Sequence, residues 1–423
     1  MNKFHKKYSQ ELIEHFFRNE YGKIVSVITR YIGTENVETA EDIVQETLLK
    51  AVDSWQQNGL PEKPNAWLYT TAKNLTLNIL KRKQHHIKYK SETRNLQSSY
   101  VEFENLQISE EMILDEQLKM MFVCCHSSIS ENSQIALILK ILCGFSIAEI
   151  ANAFFSTNET INKRLVRGRK QLRENKVSFE IPQNINENLT IILRTIYLLF
   201  NEGYSPSNKN EIIRYDLCLE AIRLTEIIIS SKYIKEKADS YALIALMYLN
   251  ISRFESRTNK DNSLIEMDKQ DRNKWNKELI AKGIHNLNLG ISENKVSSYH
   301  ILAAISANHC TAQTFEQTNW KEILSLYDKL LLLQNSPIIE LNRCVALSKI
   351  KGNEVAINEL LNLNSNSDIG NYYLFQSTIA EFYKLENKID LAIKHFNKAI
   401  SLSANKRDKD FLEKKLKELV PIS

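Results

Sequence analysis

The chain has 423 residues and a formal net charge of +4, and 43% of its residues are hydrophobic and 25% are charged. This composition is ordinary for a soluble globular protein, and the length suggests two to four domains. It argues against membrane-spanning and secreted proteins, because no apolar run reaches the roughly 18 residues of a membrane span. The N-terminal residues also lack the apolar core of a signal peptide, so we expect a cytoplasmic protein.

The six cysteines are scattered, and only Cys124 and Cys125 are adjacent, next to His126. Adjacent cysteines cannot serve as the spaced pair of a tetrahedral metal site, and no second pair follows them. We therefore expect reduced, mostly buried thiols and neither metal nor cofactor. A metal or redox role for this cluster is the alternative.

Apolar residues recur at three- and four-residue spacing along almost the whole chain, and no segment alternates as a strand would. The pattern predicts an all-α fold. Three helices open the chain, with a break at the LPEKP sequence of residues 60–64. We expect these helices at residues 12–33, at residues 37–55, and from residue 65 to beyond residue 83.

The charged residues of the N-terminal half form three blocks, although the net charge of the whole chain is close to zero. Residues 73–94 are mostly basic, residues 102–116 carry acids with no base among them, and residues 163–176 are basic again. Blocks of one sign are often solvated helix faces. Aromatic residues beside the cations of the first block also suit DNA with unstacked bases, because stacking and phosphate pairing then act together.

The sequence FSIAEIANAFFSTNETINKRLVRGRKQL, residues 145–172, predicts a helix-turn-helix. Ser146 and Glu149 have the spacing of a capping box at the start of a short helix. Ile161, Leu165 and Leu172 lie on one face of the second helix and leave a cationic exterior. Such a helix fits the major groove, where Arg and Asn read base edges and Lys holds phosphates. An ordinary helical hairpin with a solvated face is the alternative.

The sequence VSFEIPQN at residues 177–184 predicts a domain boundary, after which helices continue at repeat-like intervals. The last helix pair has the tetratricopeptide spacing of small residues, which permit close approach, and aromatic residues, which fill the gap. These residues are Ala380, Tyr383, Ala392, Phe396 and Ala399. Residues 336–361 are a looser copy of the same pattern.

Several stretches together resemble a known family. AEDIVQETLLKA (40–51), NAWLYTTAKNLTLNILKRKQ (65–84) and the helix-turn-helix resemble regions 2 and 4 of bacterial sigma factors of the extracytoplasmic-function (ECF) type. Five later stretches resemble the helical, tetratricopeptide-like extension of one subgroup: YLLFNEGY (197–204), EAIRL (220–224), DKQDRNKW (268–275), LAAISANH (302–309) and SPIIELNR (336–343). Asn78 stands where this family usually has Asp.

The resemblance implies four segments: region 2 at residues 1–90, an acidic linker at 91–115, region 4 at 116–178 and a superhelical extension at 184–423. In the family, region 2 docks on the β′ clamp helices of RNA polymerase and opens the −10 promoter element, and region 4 binds the −35 element and the β flap. The linker lies near the RNA exit path there, where its acids mimic nucleic acid. A flexible solvated linker is the alternative.

Carried onto this sequence, the resemblance assigns residues to three interfaces. The polymerase contact would be made by Asp42, Gln45, Glu46 and Leu49. The −10 strand would be bound by the loop at 56–64 with Lys73, Asn74, Lys81, Arg82 and Lys83. The −35 element would be read by Thr160, Asn162, Lys163, Arg164, Arg167 and Lys170. Trp67 in the third helix is either a core residue, which we favour, or a wedge that stacks on a base.

The extension also carries polar residues in apolar surroundings, Glu202, Tyr204, Asp271 and Arg272, which we interpret as buried groups that tie helices together, with a ligand or peptide pocket as the alternative. The subgroup resemblance implies that the extension controls activity in cis. The regulatory motif assigned to it comprises Asn201, Glu202, Tyr204, Gln270, Asp271, Arg272 and Trp275. A concave helical stack also suits a small regulatory protein as a partner. No nucleophile–base pair, phosphate loop or metal spacing is present, so we expect no enzyme activity. The alternatives are a helix-turn-helix regulator that does not enter polymerase, and a tetratricopeptide scaffold.

Overall fold

The computed structural model describes residues 2–86, 101, 103, 108–154, 156–205, 214–259, 265–291, 296–366, 368–403 and 406–419. Within these ranges the regular structure is helical and contains no strand, so the predicted all-α fold is confirmed. The chain divides into two compact units. Unit 1 comprises Met1–Leu199 with Glu226–Lys235, and unit 2 comprises Phe200–Thr225 with Glu236–Ser423.

The helices that begin in unit 1 are α1 (Asn2–Ile32), α2 (Val37–Asn58), α3 (Pro64–His86), α4 (Glu110–Cys124), α5 (Glu131–Leu137), α6 (Ile147–Ala153), α7 (Asn158–Glu174) and α8 (Ile185–Tyr204). A π-turn at Ile138–Leu142 continues α5. The limits agree with the sequence pattern except that α1 begins earlier and α2 ends later. Gly59 ends α2 because its φ of 80° leaves the helical region and its N–H bonds to the Trp55 carbonyl.

Helix α1 forms the centre of unit 1, and it packs against α2, α3, α4 and the π-turn. Ile24, Val25 and Ile28 of α1 are almost fully buried. Gly22 lets the π-turn approach the α1 backbone, because a Cβ at this position would lie 2.1 Å from the Leu142 carbonyl oxygen. The elements that resemble sigma regions 2 and 4 therefore pack together in one body.

The later helices are α9 (Tyr215–Ser230), α10 (Ala238–Ile251), α11 (Phe254–Arg257), α12 (Lys277–Gly290), α13 (Ser298–Thr311), α14 (Trp320–Leu333), α15 (Pro337–Lys351), α16 (Asn353–Asn366), α17 (Tyr373–Leu385), α18 (Ile389–Leu402) and α19 (Lys406–Lys417). The last turns of α9 belong to unit 1. Neighbouring helices pack in sequence order through most of unit 2, as stacked helix pairs do.

The helix pair α17–α18 shows why the tetratricopeptide spacing was informative. All five residues of the predicted pattern are buried: Ala380, Tyr383, Ala392, Phe396 and Ala399. The alanines allow the two helices to approach, and the aromatic rings fill the space between them. The looser copy corresponds to α15 and α16, with Gly352 at the turn between them in a positive-φ conformation.

Candidate polymerase and nucleic-acid interfaces

Two side-chain caps define the helix-turn-helix. The Ser146 N–H donates to Glu149 Oε2 over 2.7 Å, and the Glu149 N–H donates to Ser146 Oγ over 3.2 Å, which confirms the predicted capping box. Thr157 caps α7 by accepting a bond from the Thr160 N–H over 3.1 Å. The two helices therefore begin at residues that the local sequence specifies.

Helix α7 turns its apolar face inward. Ile161, Leu165 and Leu172 are fully buried, as predicted. Gly168 lets α7 cross α5 closely, because a Cβ there would lie 2.8 Å from Leu137 Cδ1. The opposite face is therefore held in a fixed orientation toward solvent.

The residues predicted to read the −35 element lie on or beside the outer face of α7. Asn162, Lys163, Arg167 and Lys170 are exposed, and Thr160 and Arg164 are half-buried. Lys163 pairs with Glu159 at 2.7 Å and Lys170 with Glu174 at 3.5 Å. Exposed pairs of this kind contribute only about 0.3–0.5 kcal/mol. They would not prevent either lysine from moving to a phosphate.

Arg169 of α7 has a different environment from the other cations of its block. Its guanidinium bonds to the buried Glu41 carboxylate of α2 and lies 3.4 Å from Glu38. The charge pattern of the sequence did not predict this contact. Arg169 follows Leu165 by four residues and precedes Leu172 by three, so it lies beside the apolar face of α7. This spacing is the feature of the sequence that could have predicted a partly buried arginine.

The residues predicted to contact polymerase form one exposed face of α2. Asp42, Gln45 and Glu46 are exposed, and Leu49 is 67% exposed. The other side of the helix is buried in unit 1. An exposed leucine beside two carboxylates is the kind of surface that a protein partner covers.

The first basic block lies on α3. Asn74, Lys81 and Arg82 are exposed and Lys73 is half-buried, whereas the Lys83 side chain lies outside the described part. The half-buried Trp67 ring packs edge-on against Trp55, with 5.7 Å between the ring centroids. That contact favours the core role for Trp67.

Part of the acidic segment at residues 102–116 is helical, and several of its carboxylates bond to other side chains. Glu102 and Glu104 lie outside the described residues, and α4 begins at Glu110, inside the predicted linker. Glu111 bonds to Lys232 over 2.7 Å, and Asp115 accepts a bond from the Tyr233 hydroxyl over 3.2 Å. The buried Glu116 pairs with Arg30 of α1.

The DKQDRNKW motif has a structural role at the end of α13. Arg272 Nη1 donates to the carbonyls of His309, over 2.6 Å, and Ala312, over 2.7 Å. Its guanidinium carbon lies 4.6 Å from the centre of the buried Trp275 ring. Arg272 therefore caps the C-terminus of a helix, where carbonyls lack partners and a cation is favoured.

The other residues predicted for the extension motif differ in burial, and Tyr204 and Gln270 bond to residues outside the motif. Glu202 is buried, and the Tyr204 hydroxyl accepts a bond from Arg253 over 2.7 Å. Gln270 is half-buried and donates to the Ile265 carbonyl over 3.0 Å. Asn201 is exposed.

Asp271 differs in exposure from the buried members of the motif. Its side chain is exposed and caps the short turn Arg272–Lys274 by accepting a bond from the Asn273 N–H over 3.0 Å.

Burial strongly shifts the pKa values of several titratable side chains, among them His309 and Cys125. Burial, with help from Arg253 and Arg272, lowers the pKa of His309 to about 4. Burial raises the pKa of the Cys125 thiol to about 12. All six cysteines are free and buried.

Two further findings concern metals and membranes. Among the residues that the structure describes, no three His, Cys, Asp or Glu side chains are grouped so as to hold a metal ion. Across the same ranges, no helix is both long and apolar enough to cross a bilayer.

Two family models match parts of this chain. Residues 16–86 match the family model for sigma-70 region 2, and residues 188–289 match a family of unknown function, DUF6596. The ECF RNA polymerase sigma-E factors of Salmonella typhimurium and Escherichia coli are each 27% identical to this chain over 159 residues. That alignment covers 37% of this chain and 81% of each relative.

An uncharacterized protein of Rhizobium meliloti is 29% identical over 401 residues, which is 93% of both chains. No solved structure matches the chain significantly. The N-terminal part of the chain matches sigma-70 region 2, and the similarity to ECF sigma factors is confirmed. The long extension fits the subgroup that the sequence indicated.

Proposed function

We propose that this chain is a cytoplasmic sigma factor that binds core RNA polymerase, directs it to specific promoters and initiates transcription without catalysing a reaction itself. The observation that carries the proposal is the sigma-70 region 2 match at residues 16–86, which contains the exposed acidic face of α2. In this proposal residues 1–90 act as region 2 and residues 116–178 as region 4.

The acidic face of α2 would dock on the β′ clamp helices. Asp42 and Glu46 supply the charge, and Leu49 supplies apolar area at the centre of the contact. Gln45 lies between them on the same face. Region 4 would contact the β flap as well as DNA.

Promoter DNA would meet two separate surfaces. The exposed side chains Asn74, Lys81 and Arg82, with the loop at 56–64, would hold the −10 strand. The outer face of α7 would enter the major groove at the −35 element, where Arg167 reads base edges and Lys170 holds a phosphate.

We also propose that the extension controls this activity through the part of it that belongs to unit 1. The segment Glu226–Lys235 packs there, and Lys232 and Tyr233 bond to the acidic side chains of α4. The first part of α8 packs there too, with Arg194 3.3 Å from Glu131 of α5. A small regulatory protein bound to the extension could therefore act on α4 through these contacts.

These contacts change the expected result of truncation. A deletion after Gln183 removes α8 and the segment Glu226–Lys235 from unit 1. The segment boundaries that the resemblance implies would leave regions 2 and 4 as two folded domains after such a deletion. Because both segments pack in unit 1, we expect the deletion to destabilise that unit.

Co-purification with core polymerase tests the proposed function. The double variant Asp42→Lys, Glu46→Lys should lose binding while it keeps its helical circular dichroism. Asp53→Lys changes one further exposed carboxylate on the same helix and should keep binding. Full binding by the folded double variant, or none by the wild-type chain, would favour a helix-turn-helix regulator that does not enter polymerase.

A further inference from the structure

We propose that a cavity in unit 1 binds a free purine nucleoside monophosphate. The cavity has a volume of about 620 Å³ and is lined by residues of α1, α3 and α4, all of which belong to unit 1. This volume lies within the range of about 300–1,000 Å³ that is usual for small-ligand sites. Of the residues assigned above to polymerase or DNA, Lys73 is the one that lines it, so the inference adds a binding site to the chain.

Two buried polar atoms at the cavity lack hydrogen-bond partners. Glu20 of α1 lines the cavity and is only 3% exposed, and its Oε1 accepts a bond from Lys23 Nζ over 2.7 Å. Its other oxygen, Oε2, and the hydroxyl of Tyr69 in α3 have no hydrogen-bond partner among the described residues. Buried polar groups in folded proteins are nearly always bonded. A ligand in the cavity would supply the missing bonds.

These two groups define the polar end of the ligand. Burial, and then the charge of the nearby Glu20 carboxylate, raise the pKa of Tyr69, so the hydroxyl keeps its proton and can donate it. Glu20 Oε2 accepts a bond from an N–H or O–H group. An ammonium group is unsuited because Lys23 already supplies a cation to Glu20 and would repel a second one. The ligand therefore presents a neutral donor beside an acceptor, as the edge of a nucleobase does.

Helix α4 contributes an apolar wall to the cavity. Ile113 is half-buried and Leu114 is 39% exposed, and both line the cavity together with Ala66 of α3. A flat nucleobase can cover this aliphatic surface, and its burial contributes about 25 cal/mol per Å². A purine covers more of the wall than a pyrimidine because it has two fused rings. The apolar wall therefore favours a purine.

Two lysines provide the site for the phosphate. Lys23 of α1 and Lys73 of α3 line the same cavity, and both are half-buried. An ammonium group pairs with phosphate oxygens, and the pairing is stronger where water is partly excluded. The exposed Glu110 carboxylate also lines the cavity, and together with Glu20 it balances the two lysines. The site therefore suits a monophosphate better than a more highly charged triphosphate.

Direct binding to the full chain tests the inference. Isothermal titration calorimetry with AMP and GMP, at concentrations up to about 1 mM, measures the dissociation constants. Ribose 5-phosphate and UMP are the reference ligands, because the first has no base and the second has a smaller one. We expect AMP or GMP to bind roughly tenfold more tightly than ribose 5-phosphate and roughly fivefold more tightly than UMP.

Three substitutions test the contacts one at a time. Tyr69→Phe removes only the hydroxyl, so it should weaken nucleotide binding roughly fivefold. It should not lower the thermal midpoint of the ligand-free chain, because the hydroxyl has no partner there among the described residues. Glu20→Gln and Lys73→Ala should each weaken binding roughly tenfold, since each removes a charged partner of the ligand. Tyr69→Phe keeps the test valid if Glu20→Gln fails to fold.

Two control variants separate the cavity from general attraction by positive charge. Lys81→Ala removes an exposed lysine of α3 that does not line the cavity, and it should bind nucleotide as wild type does. Glu110→Gln removes a charge that repels phosphate, and it should tighten binding about threefold. The inference is overturned if neither AMP nor GMP binds the wild-type chain, or if folded Tyr69→Phe and Lys73→Ala bind as wild type does. Tighter binding of a short single-stranded DNA that depends on Tyr69 and Lys73 overturns the free nucleotide as the ligand.

Discussion

Replacing Arg272 by alanine should destabilise unit 2 much more than replacing its neighbour Asp271. The two residues stand side by side in the QDR of the extension motif, and the sequence assigned them the same regulatory role. In the structure Arg272 caps α13 through two carbonyls and covers the Trp275 ring, whereas Asp271 is exposed and caps only a short turn. The two alanine substitutions should therefore lower the free energy of unfolding of unit 2 by different amounts.

The expected sizes follow from these contacts. A hydrogen bond from a charged donor contributes about 1.5–3 kcal/mol, and the lower end applies because Arg272 is only partly buried. Two such bonds give about 3 kcal/mol for Arg272→Ala, to which the cation–π contact adds less than about 1 kcal/mol. Asp271→Ala loses one exposed cap, which is worth about 0.5–1 kcal/mol. Arg272→Lys keeps the charge but loses the planar fork, so its effect should be intermediate.

Hydrogen exchange across a urea titration measures the effect where it arises, in peptides that span residues 298–312. A global unfolding curve is unsuitable because the chain has two compact units. Run-off transcription should then follow stability, with a loss for Arg272→Ala and little change for Asp271→Ala. Equal effects of the two substitutions, or a change below about 1 kcal/mol for Arg272→Ala, would refute the capping argument.

Three further predictions concern pH, DNA and the extension. The pKa of His309 is lowered to about 4 in the folded chain, so the unfolded chain takes up a proton first as pH falls. The free energy of unfolding of unit 2 should therefore fall by about 2 kcal/mol between about pH 7 and pH 5, and the variant His309→Gln should not show this fall. In promoter-binding titrations Arg167→Ala should cost about 1–3 kcal/mol at one base pair, whereas Lys170→Ala should weaken all sequences and lower the salt slope by about one ion. Lys232→Glu should alter run-off transcription, and Glu111→Lys in the same chain should restore it, since the ion pair is then re-formed with reversed charges.

Much of the fold could be predicted because it depends on neighbours in sequence. The capping box of α6, the inward stripe of α7 and the small residues of α17–α18 are all interactions within one or two helices. Their spacing follows from 3.6 residues per turn, so the pattern can be recognised without knowledge of the rest of the chain. The exposed residues assigned to polymerase and DNA remain predictions, although their positions on helix faces agree with the structure.

The contacts between distant segments could not be predicted in this way. Arg169 and Glu41 are 128 residues apart, and Lys232 and Glu111 are 121 residues apart. In the sequence each of these residues is one member of a charge block, and such a block looks the same whether it faces water, DNA or another helix.

The sequence alone determined the helices, their caps, the tetratricopeptide spacing and the resemblance to ECF sigma factors, because each depends on local periodicity or on contiguous motifs. Only the tertiary structure decided that α8 begins inside unit 1 and that α4 forms ion pairs both with Arg30 of α1 and with Lys232. It also decided that Arg272 caps a helix whereas Asp271 is exposed to water. These outcomes depend on which surfaces meet. Pairing between distant helices is set by the summed burial and charge of whole faces, which a linear pattern does not contain.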